Sequence, residues 1–286
     1  MSGPRMSVTP VAPPRAARPG WWLVFRRELA ELWTGGRALA LLLLFSALMS
    51  VTAFLLATNT ELSLTPPRLA MVVALQSAIT FGLFIGLVVG AESISGERER
   101  ATLEPLLLTP VSRRQIVIGK YLAALSPWPL AMLVAAPYVV VLARGDPAIG
   151  SALVWGAIGG SLVTLAFTGV GMLTSFWSGS NRTSLFVSLV IYFVALLPGQ
   201  LPGEFQATAA GAILQATNPL DSTGRFLTRY LVDGIALDEA RTLLIAPAVA
   251  IVLIAVALLV AAPRLQLEGG GARAGRLRMS DLVEQS

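Results

Sequence analysis

The side chains that could do chemistry in this 286-residue sequence are mostly charged, and many of them lie in one short segment. Residues 96–120, GERERATLEPLLLTPVSRRQIVIGK, hold five cations and three carboxylates, although only 13% of the whole chain is charged. Carboxylates and guanidinium groups that alternate at helical spacing form ion pairs along a helix. The pattern therefore indicates a charged binding surface on a short helical element.

The residue types that are missing exclude several classes of chemistry. The sequence has no cysteine and no histidine. It therefore has no disulfide, no thiolate nucleophile, no histidine base and no Cys/His metal site. The long apolar runs also lack the ionisable residues that proton-driven carriers generally need inside the membrane. Clustered aspartates that could bind a diphosphate through magnesium are absent as well. We expect neither an enzyme nor a proton-driven pump, and no cofactor or metal bound by this chain.

Composition places the chain in a lipid bilayer. Hydrophobic residues make up 55% of it, its mean hydropathy is +0.73, and its charged fraction is roughly half of the usual ~25%. Uncharged runs long enough to cross the hydrocarbon core recur along the sequence. We predict an all-α integral membrane protein with a transmembrane domain over 38–263. Its six spans are 38–60, 69–91, 121–143, one long helix within 147–181, 183–203 and 242–263.

The distribution of Lys and Arg predicts the orientation, because cations resist translocation. Six spans place both termini on one side, and that side carries sixteen Lys and Arg residues against five on the other. We therefore expect a multi-pass protein of the cell (inner, cytoplasmic) membrane with both termini in the cytoplasm. The pI near 10.4 follows from these separate loops, so no nucleic-acid partner is expected.

The segments that flank the spans have distinct compositions. Residues 1–20 contain five prolines among Ala, Ser and Arg, which favours a disordered cytoplasmic tail, and 264–286 forms a second cytoplasmic tail. In 21–37 apolar residues recur at helical spacing, with charged residues on the remaining arc. We predict an amphipathic helix in the membrane interface, which either anchors the first span or contacts a partner.

The second span contains three glycines at a spacing of four residues. Gly82, Gly86 and Gly90 share one helix face, where a second backbone can approach closely. This pattern is typical of packed membrane helices. It is also frequent by chance in glycine-rich spans, so both readings stay open.

The charged segment that follows is predicted to form a helix, a break and a second helix. Glu92 stands where the second span leaves the bilayer, and Gly96 permits a change of direction. Glu97 with Arg100 and Arg100 with Glu104 have the spacing of helical ion pairs. Local charge pairing therefore favours a short cytoplasmic helix at the membrane surface.

The second helix of this segment has its own start signal. Pro110 ends the first piece, and Ser112 followed by Gln115 is a capping-box pattern. The alternative is a solvated connector that obeys the positive-inside rule. A connector explains the arginines, but it explains neither the interspersed glutamates nor the three consecutive leucines at 106–108.

At these residues the chain resembles the membrane subunits of ABC-2 type ATP-binding-cassette transporters. The resemblance extends to RRELAELW at 26–33, to the six-span layout and to NPLDSTGRFLTRYLVDGIAL at 218–237, while Pro105 departs from the usual pattern. The residues that carry it, in order, are Glu92, Gly96, Glu97, Glu99, Thr102, Leu103, Glu104, Leu106, Leu107, Thr109, Pro110, Val111, Ser112, Arg113, Gly119 and Lys120.

The resemblance implies that loop 92–120 contains a coupling helix that docks on a separate ATPase subunit, which binds ATP and magnesium. The sequence itself has no phosphate loop, because QIVIGKY lacks the upstream glycine and the following Ser or Thr. The residues implied for coupling are Glu92, Glu97, Arg98, Glu99, Arg100, Glu104, Arg113 and Arg114.

The resemblance also implies a second permease copy or paralogue, and a pathway between the two permeases lined by the second and fifth spans. Candidates for that lining are Phe81, Phe84, Phe186 and Tyr192, although a phenylalanine on an apolar helix more often faces lipid or another helix. The external loop 204–241 would hold short helices, either as a simple loop or dipping into the outer leaflet. The absence of internal charge favours an apolar or amphipathic cargo.

Three functions are compatible with this sequence. The first is ATP-driven export of a substrate through a permease. The second is a non-transporting membrane subunit that relays ATPase motion to an extracytoplasmic partner. The third, an ATP-independent channel, does not account for the coupling segment, since a channel needs no contact with an ATPase.

Overall fold

The computed structural model describes residues 19–58, 66–102 and 108–264, and every regular element in these ranges is helical. The predicted all-α class is therefore confirmed. The helices in chain order are α1 (Gly20–Thr34), α2 (Arg37–Thr58), α3 (Pro67–Glu99), α4 (Arg113–Ala124), α5 (Pro127–Leu142), α6 (Ile149–Trp177), α7 (Asn181–Gln200), α8 (Gly203–Gln206), α9 (Ala209–Thr217), α10 (Pro219–Leu231), α11 (Leu237–Ala240) and α12 (Ile245–Ala261).

Six helical segments in the described ranges are long and apolar enough to cross a membrane, as the sequence predicts. They are α2, α3, α4 with α5, α6, α7, and α11 with α12. The 35-residue uncharged run forms the single long helix α6. The predicted tails lie almost wholly outside the described residues, at 1–18 and 265–286.

The second span is longer than predicted. Helix α3 continues for eight residues beyond Ala91 and ends only at Glu99, so Gly96 is helical and does not redirect the chain. The chain turns after Glu99, where Arg100 caps the helix and Ala101 has a φ of 57°. The predicted change of direction at Gly96 is wrong, because polar contacts from other helices hold this last part of α3 in place.

The third span is divided into two helices. Helix α4 ends at Ala124, and α5 starts with Pro127, which cannot donate a backbone hydrogen bond to a continuing helix. The break directs the buried Trp128 toward α3 and α6, where its Nε1 donates to Ser161 Oγ at 3.0 Å. Gly82 and Gly160 lie against its ring, so a Cβ at either position would collide with it.

The central contact of the fold is between α3 and α6, which pack backbone to backbone. Gly90 of α3 faces the Thr168 carbonyl, and Gly171 of α6 faces the Leu87 carbonyl. A Cβ at either glycine would therefore overlap the backbone of the opposite helix. Gly86 lies against the Thr168 side chain in the same row. The glycine row of the second span thus allows the two longest helices to meet along their middle.

The region between the fifth and sixth spans is helical, and part of it enters the bundle. Helix α10 is capped by Asn218, whose side-chain oxygen accepts hydrogen bonds from the backbone N–H groups of Leu220 and Asp221. Phe226 and Leu227 of α10 are fully buried in the main hydrophobic core. Loop 204–241 is therefore only partly external to the helical bundle.

Candidate functional site

The candidate site lies at the end of the bundle where α1, α3 and α4 meet. Helix α4 starts as predicted, with the Ser112 hydroxyl accepting a hydrogen bond from the Gln115 backbone N–H. Gly119 of α4 lies against Trp21 and Val24 of α1, and a Cβ there would be 2.7 Å from the Trp21 carbonyl oxygen. Helix α1 is thus packed along α4.

A buried lysine joins the three helices. Lys120 of α4 is only 2% exposed, and its Nζ lies 2.9 Å from Glu28 Oε1 and 2.8 Å from Glu97 Oε2. Glu28 belongs to α1 and Glu97, which is 6% exposed, belongs to α3. An ion pair buried this deeply stays stable only while every charge keeps its partner. Lys120 therefore ties the positions of α1, α3 and α4 together.

Two further ion pairs surround Lys120. Arg37 at the start of α2 pairs with Glu92 of α3, and Arg100 at the end of α3 lies 3.3 Å from Glu31 of α1. The Arg100 pair is half exposed and contributes little to stability by itself. We call these seven residues the charge cluster: Glu28, Glu31, Arg37, Glu92, Glu97, Arg100 and Lys120.

A hydroxyl network fixes the other face of α3 at the same end. Ser175 Oγ of α6 accepts hydrogen bonds from the backbone N–H groups of Ile94 and Ser95, at 3.1 and 2.8 Å. Ser95 Oγ lies 3.0 Å from Asn181 Oδ1, and Ser184 Oγ donates to the Ala91 carbonyl. The last turns of α3 are therefore held by α6 and α7 as well as by the charge cluster.

Two arginines of the coupling segment bind backbone carbonyls. Arg98 Nη1 donates to the Ser178 carbonyl at 2.7 Å, in the turn between α6 and α7. Arg113 Nη1 donates to the Pro263 carbonyl at 2.9 Å, at the end of the last span. The residues that flank the loop between α3 and α4 are thus connected to the fourth, fifth and sixth spans.

The structure separates the predicted coupling residues into two groups. Glu92, Glu97 and Arg98 have partners within the bundle. The exposed side chains are Glu99, Arg100, Arg113 and Arg114, with Arg100 and Arg113 also bonded as described above. Glu104 lies outside the described residues, as do Leu103 and the rest of 103–107.

The predicted ion pair between Glu97 and Arg100 is wrong, while the predicted pair between Arg100 and Glu104 involves a residue outside the described ranges. Glu97 binds Lys120 instead of Arg100, and Arg100 reaches Glu31 of α1. Glu28 is one of the charged residues in the amphipathic segment 21–37, but it faces Lys120 and its side chain is only 16% exposed. Partners distant in the sequence replace the nearby ones because α1 packs on α4.

The sequence contains one signal that Lys120, which is not among the predicted coupling residues, has a buried partner. Counted from the cap at Ser112, Ile116, Lys120 and Ala123 share one face of α4, and all three are buried. A single lysine on an otherwise apolar helix face requires a buried carboxylate partner. Its partners on α1 and α3 could not be read from local spacing.

The aromatic residues suggested for a pathway do not form one group. Phe81 packs edge-on against Phe45 of α2, at a centroid distance of 6.4 Å. Phe84 packs against Tyr192 of α7, at 5.2 Å. Phe186 is exposed on α7. In this chain Phe84 and Tyr192 connect the second and fifth spans, while Phe81 belongs to the contact with the first span.

The chain is similar to known membrane transport proteins over most of its length. A family model described as ABC-2 family transporter protein matches residues 22–265. The chain is also 31% identical over 169 residues to the probable ABC transporter permease protein NosY of Pseudomonas aeruginosa. That alignment covers 57% of this chain and 60% of the relative, so the chain spans less than two thirds of the length of NosY. The region matched by the family model includes the whole charge cluster.

Proposed function

The chain belongs to the ABC-2 family of transporter proteins, and from that premise we propose that it is the membrane permease subunit of an ATP-driven exporter. A separate ATPase subunit binds ATP and magnesium, so this chain does not hydrolyse ATP itself. A second permease, identical or similar, completes the pathway in the cytoplasmic membrane. Both termini and the loop between α3 and α4 face the cytoplasm.

The observation that carries this proposal is the buried bridge from Lys120 to Glu28 and Glu97. The loop connects α3 to α4, and this bridge holds these two helices together. A force applied to the loop is therefore transmitted to α3, because separating α3 from α4 leaves buried charges without partners. Helix α3 is also the helix that packs along α6 through the glycine row.

The exposed charges beside this loop supply a docking surface. Glu99 at the end of α3 and Arg114 at the start of α4 are exposed and of opposite sign, and Leu108 between them is 75% exposed. Charges of both signs around an apolar residue set the orientation of a bound partner. We assign the contact with the ATPase to this surface, and the transmission of movement to the charge cluster.

The test is reconstitution of the permease in lipid nanodiscs with its candidate ATPase subunit. The variant Glu99→Arg with Arg114→Glu exchanges the two exposed charges and keeps the net charge. We expect the affinity for the ATPase to fall at least about tenfold, because like charges would then face each other. The matched control exchanges Asp238 and Arg241, which are also exposed and lie beyond the fifth span.

A second variant separates docking from transmission. Lys120→Met with Glu97→Gln removes the buried lysine and its more deeply buried carboxylate partner, keeps Glu28, and leaves the exposed surface intact. We expect normal assembly with the ATPase and reduced stimulation of ATP hydrolysis by the permease. Unchanged affinity in the Glu99 and Arg114 exchange would exclude docking at this surface. Normal stimulation in the Lys120 and Glu97 variant would exclude transmission through the charge cluster.

A further inference from the structure

The described residues line a half-open polar cavity between α3, α7 and the short helices α8 to α10. Its volume is about 370 Å³, which lies within the usual range of small-molecule sites. Four of the seven glutamines in the sequence line it, Gln76, Gln200, Gln206 and Gln215, and we call it the glutamine cavity. It lies toward the end of the bundle opposite the charge cluster, since Gln200 ends α7 and is exposed.

An ion pair with spare hydrogen-bonding capacity forms part of the wall. Arg225 Nε lies 3.1 Å from Asp221 Oδ2, and the two side chains are 29% and 15% exposed. Arg225 Nη2 is buried and donates to no acceptor among the described residues. A buried guanidinium N–H without an acceptor is costly, and a ligand oxygen in the cavity would satisfy it.

The glutamines divide into structural and free groups. Gln76 Nε2 donates to the Gly224 carbonyl and to Thr228 Oγ1, at 3.0 and 3.1 Å, and so holds α10 against α3. Gln206 Nε2 donates to the Leu201 carbonyl. Gln200 and Gln215 make no side-chain hydrogen bond within the described ranges. Their amides are therefore available to a ligand without loss of a contact that stabilises the fold.

The chemistry of the wall defines a ligand class. Asp221 and Arg225 neutralise each other, so the cavity has no net charge to attract an ion. Each glutamine amide presents a donor beside an acceptor, which matches a hydroxyl group, since a hydroxyl also donates and accepts. Ile79, Leu196 and Leu220 supply an apolar surface suited to the C–H groups of a ring. These features together favour a neutral polyhydroxylated ligand over an ion or a hydrocarbon.

We propose that the glutamine cavity binds a neutral sugar group, held by Gln200, Gln215 and the Asp221–Arg225 pair. This inference rests on the proposed export function only in treating that sugar as part of the cargo. The absence of charge within the spans led us to expect an apolar or amphipathic cargo; a free sugar is neither, whereas a sugar on a lipid headgroup is amphipathic. The polar groups that bind the sugar come from α7, α9 and α10 and lie between the fifth and sixth spans or at the end of the fifth.

The test measures binding of sugars to the full chain in nanodiscs, without the ATPase, by isothermal titration calorimetry. The probes are glucose and N-acetylglucosamine as neutral sugars, glucose 6-phosphate as an anion and glutamine as a zwitterion. A parallel sample contains glucosyl diacylglycerol in the nanodisc, with binding detected by lipid cross-linking. This arm distinguishes a sugar on a lipid headgroup from a free sugar.

The informative variant is Gln215→Leu, which removes a ligand contact but no hydrogen bond of the fold. We expect it to weaken binding of the neutral sugar between about twofold and tenfold, the effect of one hydrogen bond. Gln115→Leu, the same substitution at the opposite end, is the matched control and is expected to bind normally. Asp221→Asn with Arg225→Gln should weaken binding more than tenfold, because two groups that contact the sugar are changed.

Saturable binding of a free sugar or of the glucosyl lipid, weakened in Gln215→Leu and not in Gln115→Leu, supports the proposal. Three results overturn it: no binding of any neutral sugar, preferential binding of the anion or zwitterion, or equal binding in both glutamine variants. Because the ATPase is absent from this experiment, a negative result leaves the proposed coupling function untouched. Failure of the reconstitution assays described above would leave the binding result equally unaffected.

Discussion

Lys120 carries its charge where its side chain has almost no contact with solvent, and its two carboxylate partners come from different helices. We predict that Lys120→Met destabilises the chain by about 3–5 kcal/mol, because Glu97 then remains buried without a cation. The second substitution Glu97→Gln should restore most of this loss. The measurement is the midpoint of thermal unfolding of the purified chain in nanodiscs.

An exposed pair provides the comparison for Lys120. Arg241 and Asp238 are 66% and 86% exposed, so Arg241→Met should change the free energy of unfolding by less than about 1 kcal/mol. If Lys120→Met has an equally small effect, or if Glu97→Gln gives no recovery, the buried bridge does not contribute as we describe.

Asp221 provides a prediction about pH. Burial raises the pKa of Asp221, and Arg225 opposes this shift. The folded state therefore binds the proton more tightly than the unfolded state, so stability falls as pH rises from the ordinary carboxyl pKa of about 3.9 through the raised value. Asp221→Asn should lack this contribution. The difference between the two unfolding midpoints, measured from about pH 3.5 to pH 7, isolates it.

The sign of the difference decides this second prediction. Relative to Asp221→Asn, the wild-type chain should become less stable with increasing pH and then reach a plateau above the raised pKa. A wild-type chain that instead gains stability relative to the variant over this range would show that the Asp221 carboxylate is better stabilised in the folded state.

At the scale of elements, the contact between α3 and α6 depends on the absence of a side chain at Gly90. We predict that Gly90→Ala destabilises the protein by about 1–3 kcal/mol, because its Cβ overlaps the Thr168 carbonyl and the backbone must shift. Gly150→Ala, in α6 with open space around it, is the control and should be nearly neutral. Thermal unfolding in nanodiscs measures both. Equal effects would mean that helix propensity, not the contact, controls the result.

The positions of the elements could be predicted well from the sequence, because each depends on local information. Uncharged runs set the six spans, and the hydroxyl of Ser112 is near enough to Gln115 to define the start of α4. The extension of α3 to Glu99 could not be predicted in this way. Its stabilising partners are Lys120 and Ser175, which approach only after α4 and α6 have packed.

The candidate sites depend even more on distant contacts. The glutamine cavity combines residues of α3 with residues of α10, and Gln76 is 148 positions from its partner Gly224. The charge spacing in residues 96–120 predicts a charged binding surface, but the same spacing predicts ion pairs between residues of one helix. Local ion pairs are weak, so the buried contacts with α1 and α4 determine the arrangement instead.

At the scale of the whole molecule, the predicted orientation can be tested because the chain has no cysteine of its own. We expect Arg114→Cys to react with a membrane-impermeant maleimide only after the cells are opened. Asp238→Cys should react in intact cells, since it is exposed beyond the fifth span, on the side assigned to the exterior. The wild-type chain is the unlabelled control. The opposite labelling pattern would reverse the assigned topology.

The continuity of α3 has a geometrical consequence. Its 33 residues form one uninterrupted helix that carries Gln76 near one end and Glu97 near the other, with the close contact to α6 at Gly86 and Gly90 between them. At 1.5 Å per residue, Gln76 lies roughly 18 Å to one side of that contact and Glu97 roughly 14 Å to the other. A rigid rod that tilts about such a fulcrum moves its two ends in opposite directions by similar amounts. An inward step at the charge-cluster end would therefore appear as an outward step of nearly equal size beside the glutamine cavity.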